Sequence, residues 1–168
     1  MNSRHQLVSS ITAALALVSV ATSSCGPTQQ ARLRNYEIKE LHCLQQYRTG
    51  DVQTARQALL EYLRLIQEGE ASHLPLNKTA WTKALIATRL ALIYRHLGDS
   101  RQVNQYLGQA VTYAKTGAEE VGDRTWREKS DEQIEALLID LVNKLDQKNT
   151  HPKWRREQSD NPASTFNR

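Results

Sequence analysis

Few side chains in this 168-residue chain stand where they could do chemistry. The candidates are two cysteines, Cys25 and Cys43, and five histidines at positions 5, 42, 73, 96 and 151. The histidines are scattered, and no His-x-x-x-His or Cys-x-x-Cys spacing occurs that would gather metal ligands on one face. A Gly-rich phosphate loop and a Gly-x-Ser-x-Gly turn are also missing. Glu37 with Glu40, and Glu119 with Glu120, read as solvated helix faces. No catalytic group, metal or cofactor is therefore expected, and the chain does not read as an enzyme. The reactive group with a telling position is the Cys25 thiol. It follows Arg4 and the apolar stretch LVSSITAALALVSVA at residues 7–21. That stretch is short of the roughly 20 residues a membrane-spanning helix needs and right for the apolar centre of an export signal. Thr22, Ser23 and Ser24 then supply small side chains directly ahead of Cys25.

This end resembles the lipobox of bacterial lipoproteins, with Ser23, Ser24 and Cys25 on the pattern and Thr22 where Leu is usual. The resemblance implies diacylglycerol on Cys25 and cleavage after Ser24. Two or three acyl chains, palmitate among them, would anchor the product stably where one would not. It further implies the bacterial cell envelope on its periplasmic side. Because no Asp follows Cys25, the outer membrane is implied rather than the inner. If Cys25 is instead unmodified behind an ordinary cleaved signal, a bridge to Cys43 is open to it in an oxidising compartment. With Cys25 lipidated, Cys43 is left as a small apolar residue inside a helical pattern.

The charge balance is weak, a formal +4 from 22 basic and 18 acidic residues. Loss of Arg4 with the leader takes one unit away. Charges of both signs are mixed along the chain, unlike the concentrated stripe of a nucleic-acid binder, so no nucleic acid is expected as partner. The densest basic run, Lys153-Trp154-Arg155-Arg156, reads as a solvated tail, with a lipid or nucleic-acid contact as the alternative.

Helical periodicity places these residues. Leu33, Tyr36, Leu41 and Leu44 approximate a stripe over residues 32–47, and Thr49-Gly50-Asp51 stops it. Val52, Ala55, Leu59, Tyr62, Leu63 and Ile66 line a second helix to residue 68. Residues 70–76 form a loop, and Asn77 reads as the cap of a third helix, 78–97, whose apolar residues wrap most of its circumference. Gly98-Asp99 repeats the turn before a fourth helix, 100–115. Ser130 and Gln133 form a capping-box pattern. Behind it Ile134, Leu137, Leu138, Leu141, Val142 and Leu145 make the cleanest amphipathic stripe in the chain, with Trp126 placed to pack beneath. The expected organisation is a signal at 1–24, a lipidated cysteine and tether at 25–31, a helical domain at 32–146 and a disordered basic tail at 147–168. The tether reaches about 20 Å at most.

Aligning the two turns pairs Gly50 with Gly98, Cys43 with Ala91, Ala55 with Val103 and Leu59 with Leu107. Small residues recur seven before each Gly and large ones nine after it, which lets two helices cross closely. The second hairpin resembles the tetratricopeptide repeat (TPR) at Leu90, Ala91, Tyr94, Gly98, Leu107 and Ala110, with Val103 for the usual Ala and Lys115 for the usual Pro. The first carries Gln46 and Tyr62 where Tyr and Ala are usual, and the copies lie 48 residues apart against about 34 in a regular array. The implied fold is all-α, with about two antiparallel hairpins and a C-terminal capping helix that closes the stack.

In that family the first helix of each hairpin lines a concave groove. The resemblance places Leu44, Tyr47 and Arg48 there from one copy, and Leu92, Arg95 and His96 from the other. Arg48 and Arg95 would hold carboxylates of a partner. The expected function is a membrane-anchored adaptor or assembly factor for an envelope protein partner. Two hairpins make a small surface, which self-association into a homo-oligomer would complete. Two alternatives remain: a small helical ligand-binding or enzymatic protein, and a tether of membrane to cell wall through the basic tail.

Overall fold

Helix breakers fall where this chain turns, and the structure, a computed structural model, is helical throughout the residues it describes, 29–69, 74–149 and 151–160. Among these there are seven helices and no strand: α1 Gln29–Thr49, α2 Val52–Gln67, α3 Leu76–His96, α4 Ser100–Glu120, α5 Arg124–Arg127, α6 Asp131–Lys148 and α7 Lys153–Asp160. From Leu33 onward they belong to one compact unit, Leu33–Arg168. No described helix is long and apolar enough to cross a membrane.

Caps set most starts. The Asp51 and Asp99 side chains accept the backbone N–H of Thr54 and Gln102. Ser130 and Gln133 close a full capping box, with Ser130 N–H donating to Gln133 Oε1 at 3.0 Å and Gln133 N–H to Ser130 Oγ at 3.3 Å. The cap of α3 is Pro75, not Asn77, which lies inside the first turn. Gly98 takes a left-handed φ of 76° and ends α3 as a C′ glycine does. Gly50 is needed for a different reason: a Cβ there would meet Thr54 Cγ2 at 2.5 Å and Gln46 O at 2.7 Å.

The most extensive contact is α3 against α4. Alanines make it close: Ala84 and Ala87 of α3 meet Ala110 and Ala114 of α4, all fully buried. Gly117 extends the crossing, since a Cβ would stand 2.9 Å from Trp81 Nε1. This carries α4 five residues past the expected end at Lys115. Ile134, Leu138 and Val142 of α6 are fully buried, and α6 covers α3 and α4. Trp126 packs edge-on to Trp81 at 4.8 Å and joins the cluster holding Ile134 and Leu138.

Three expectations are corrected. Helix α1 begins at Gln29, inside the expected tether, and it buries Tyr36, Cys43 and Tyr47 while Ile38 and Leu41 stay 66% exposed. The 7- and 4-residue spacing of the buried three makes a narrow seam, and Leu41 falls off it. Glu40 is not a solvated face: it is half-buried and accepts a hydrogen bond from the Tyr62 hydroxyl. The tail from 147 is ordered as far as it is described. Helix α6 runs through Lys148, and α7 follows, with Trp154 only 3% exposed in the same apolar cluster as Tyr36, Leu59 and Leu90. An indole is too large an apolar surface to leave in water when a seat exists beside it.

Candidate functional site

One carboxylate ties four helices together. Asp146 stands in the last turn of α6, at the fourth position of the run Ile134, Leu138, Val142, Asp146, so the helical period turns it inward with them. It is 4% exposed. Tyr47, from the last turn of α1, donates its hydroxyl to Asp146 Oδ2 at 2.6 Å. Arg89 of α3 gives Nε and Nη2 to Oδ1 at 3.1 and 2.9 Å, and its guanidinium lies 5.4 Å from the Tyr47 ring centre. Arg155 of α7 holds Nη2 3.6 Å from Oδ2 and donates Nη1 to Asn143 Oδ1 at 2.8 Å. Burial, and then the Asp146 charge, push the Tyr47 phenol well above its ordinary value, so it remains a donor throughout the neutral range. A buried acid with two guanidiniums adds little net stability over an apolar set of the same volume. Removing one partner, however, strands the others.

The six groove residues are divided by this arrangement. Leu44, Tyr47 and Arg48 border the Asp146 crevice, which holds only about 20 Å³ of free space. Tyr47 is buried and engaged, so it offers a partner nothing. Leu92, Arg95 and His96 line a separate, open cleft of about 390 Å³ at the C-terminal end of α3. Its remaining wall comes from Asn143 of α6 and from residues 151–156, including His151, Trp154 and Arg156. The His96 ring lies 5.7 Å from the indole of Trp154. The sequence reading missed Asp146 and Arg89, and it singled out Lys153-Trp154-Arg155-Arg156 without seating them against the domain. A signal existed for Asp146 in its place on the apolar stripe of α6. Arg89 likewise interrupts the apolar circumference of α3.

A further crevice of about 490 Å³ brings together His42, Cys43 and Glu61. It does not make a nucleophile. His42 and Cys43 are neighbours on one helix, so their side chains diverge by about 100°. Burial, with the charges of Glu61 and Glu40 behind it, pushes the Cys43 thiol up, away from the thiolate. Cys43 is a free, buried cysteine, as its place in the helical pattern implies. No group of three or more potential metal ligands occurs among the described residues. Cys25 and its lipidation lie outside the described residues.

Comparison of the chain with protein-family models, curated proteins and solved structures finds no match.

Proposed function

We propose that this chain is a bacterial envelope lipoprotein, anchored through acyl chains on Cys25, whose helical domain serves as a non-catalytic adaptor for an envelope protein partner. The observation that carries the reading is the order of the N-terminus: Arg4, a 15-residue apolar stretch, two serines and then Cys25. The domain behind it is read as TPR-like. Support comes from the α3–α4 hairpin, where Ala84, Ala87 and Ala91 allow the close crossing such a repeat requires. Its left-handed Gly98 falls at the turn between the two helices. Support for docking comes from Leu92, Arg95 and His96, which stand together on an open surface at the end of α3. The wall-tether alternative is less favoured, because Trp154 and Arg155 are folded against the domain rather than extended from it.

The test is the intact mass and membrane partitioning of the native protein beside a Cys25→Ala variant. The expected result is a diacylglyceryl-sized mass and membrane association in the native protein, both lost in the variant. Two soluble, unlipidated forms would overturn the anchor.

A further inference from the structure

We propose that the cleft between the end of α3 and the start of α7 binds a phosphate monoester, either free or as a lipid headgroup. This goes beyond the adaptor reading and stands without it.

The cleft is rich in donors and poor in acceptors. Arg95, Arg155 and Arg156 bring three guanidiniums to its lining, and His96 and His151 bring two imidazoles. Among the described residues no carboxylate lines it. Its one side-chain oxygen, Asn143 Oδ1, already accepts from Arg155 Nη1. Trp154 Nε1, buried behind the wall, has no hydrogen-bond partner among the described residues, and Arg155 Nη2 has only Asp146 Oδ2, at 3.6 Å. Asp146, behind the cleft, is committed to Tyr47 and Arg89 and stands 3.6 Å from Arg155. Arg95 and Arg156 are exposed and have no ion pair among the described residues.

The geometry favours phosphate over carboxylate. A carboxylate has one charge and two oxygens, and a single fork with one further donor satisfies it, as Arg89 and Tyr47 do at Asp146. A phosphate monoester carries between one and two charges near neutral pH and three strong acceptor oxygens. Arg95 and Arg156 bring two uncommitted forks to the open cleft, and the His96 and His151 imidazoles add donors for the remaining oxygen. The free space, about 390 Å³, admits the group together with the first atoms of its ester. Arg155 is held in place by Asn143 and Asp146, so part of the ordering cost is met before a ligand arrives.

The experiment uses the full purified chain and an Arg95→Ala/Arg156→Ala variant, whose thermal unfolding is first shown to match the wild type. The probes are sn-glycerol 3-phosphate by titration calorimetry, and phosphatidylcholine vesicles carrying phosphatidic acid or, at equal charge, phosphatidylserine. Saturable binding of glycerol phosphate, weakened at least about tenfold in the variant, supports a site for free monoesters. Binding confined to phosphatidic acid vesicles and lost in the variant supports the headgroup. Equal binding to both anionic vesicles would reveal a diffuse positive surface and overturn the proposal. Binding retained in the variant, or none to any probe, would overturn it too.

Discussion

The crevice at Asp146 and the cleft at Arg95 are both walled by the segment after α6, and Arg155 reaches toward each. In the first, one acid meets two guanidiniums and a phenol, the free volume is about 20 Å³, and Arg89 and Arg155 both have Asp146 within ion-pair reach. In the second, Arg95 and Arg156 meet no acid among the described residues and the free volume is about 390 Å³. Similar residue types thus do different work. Where an acid is buried among them they fasten helices. Where it is missing they leave a positive, solvent-filled surface able to select what binds.

The contrast is open to direct attack. The largest effect belongs to Asp146→Ala, which strands Arg89 and Tyr47 in a buried site and should cost about 4 kcal/mol in denaturant unfolding. A loss under about 1 kcal/mol would mean that the crevice is not the fastening point. Trp154→Ala removes the indole from the main apolar cluster and should cost about 3 kcal/mol. Limited proteolysis should then cut near residue 150 before anywhere in α2 or α3. Tyr47→Phe should cost about 2 kcal/mol at neutral pH, the loss of one buried hydrogen bond to a charged acceptor. It should also flatten the alkaline limb of the stability profile. The Tyr47 phenol is held above its ordinary value in the folded chain, so the unfolded chain releases that proton first as pH passes about 10. The folded state then binds more protons, and its stability falls as pH rises further. The smallest effect belongs to the cleft. Arg95→Ala and Arg156→Ala, alone or together, should change stability by less than about 0.5 kcal/mol, because both are exposed and unpaired among the described residues. A larger loss would place them in the fastening network instead.

How far the sequence could be read follows the same divide. Period and punctuation located α2, α4 and α6 because each buries a regular apolar stripe behind a capping Asp or Ser; α3 was legible in its apolar circumference and its Gly98 stop, while its cap, Pro75, was not. The close α3–α4 crossing was legible in its alanines. Helix α1 was found, but its buried face was misread. Its seam is made of Tyr36, Cys43 and Tyr47, two of them amphipathic, while Ile38 and Leu41 point outward. A count of apolar residues weights those two wrongly. The groove was half legible. Leu92, Arg95 and His96 do share an open surface, but Tyr47 is spent on Asp146, a partner 99 residues away. The tail was misread because a lone Trp among five charged and polar neighbours has no period to report. Only the three-dimensional seat beside Leu90 and Leu59 explains it.

The hydrogen bond from Tyr47 to Asp146 also orders events in time. The chain is made from its N-terminus, so α1 and α2 exist long before the acid that secures them. Until residue 146 has emerged, Tyr47 and Arg89 have no acceptor, and until residue 154 has emerged the first hairpin lacks its indole. A polypeptide stalled or clipped short of these positions would carry most of the helices and none of the closure. The segment from residue 146 to residue 156 therefore acts as a completeness check: only a chain that reaches it presents a finished first hairpin, and a chain cut before it is open to proteases.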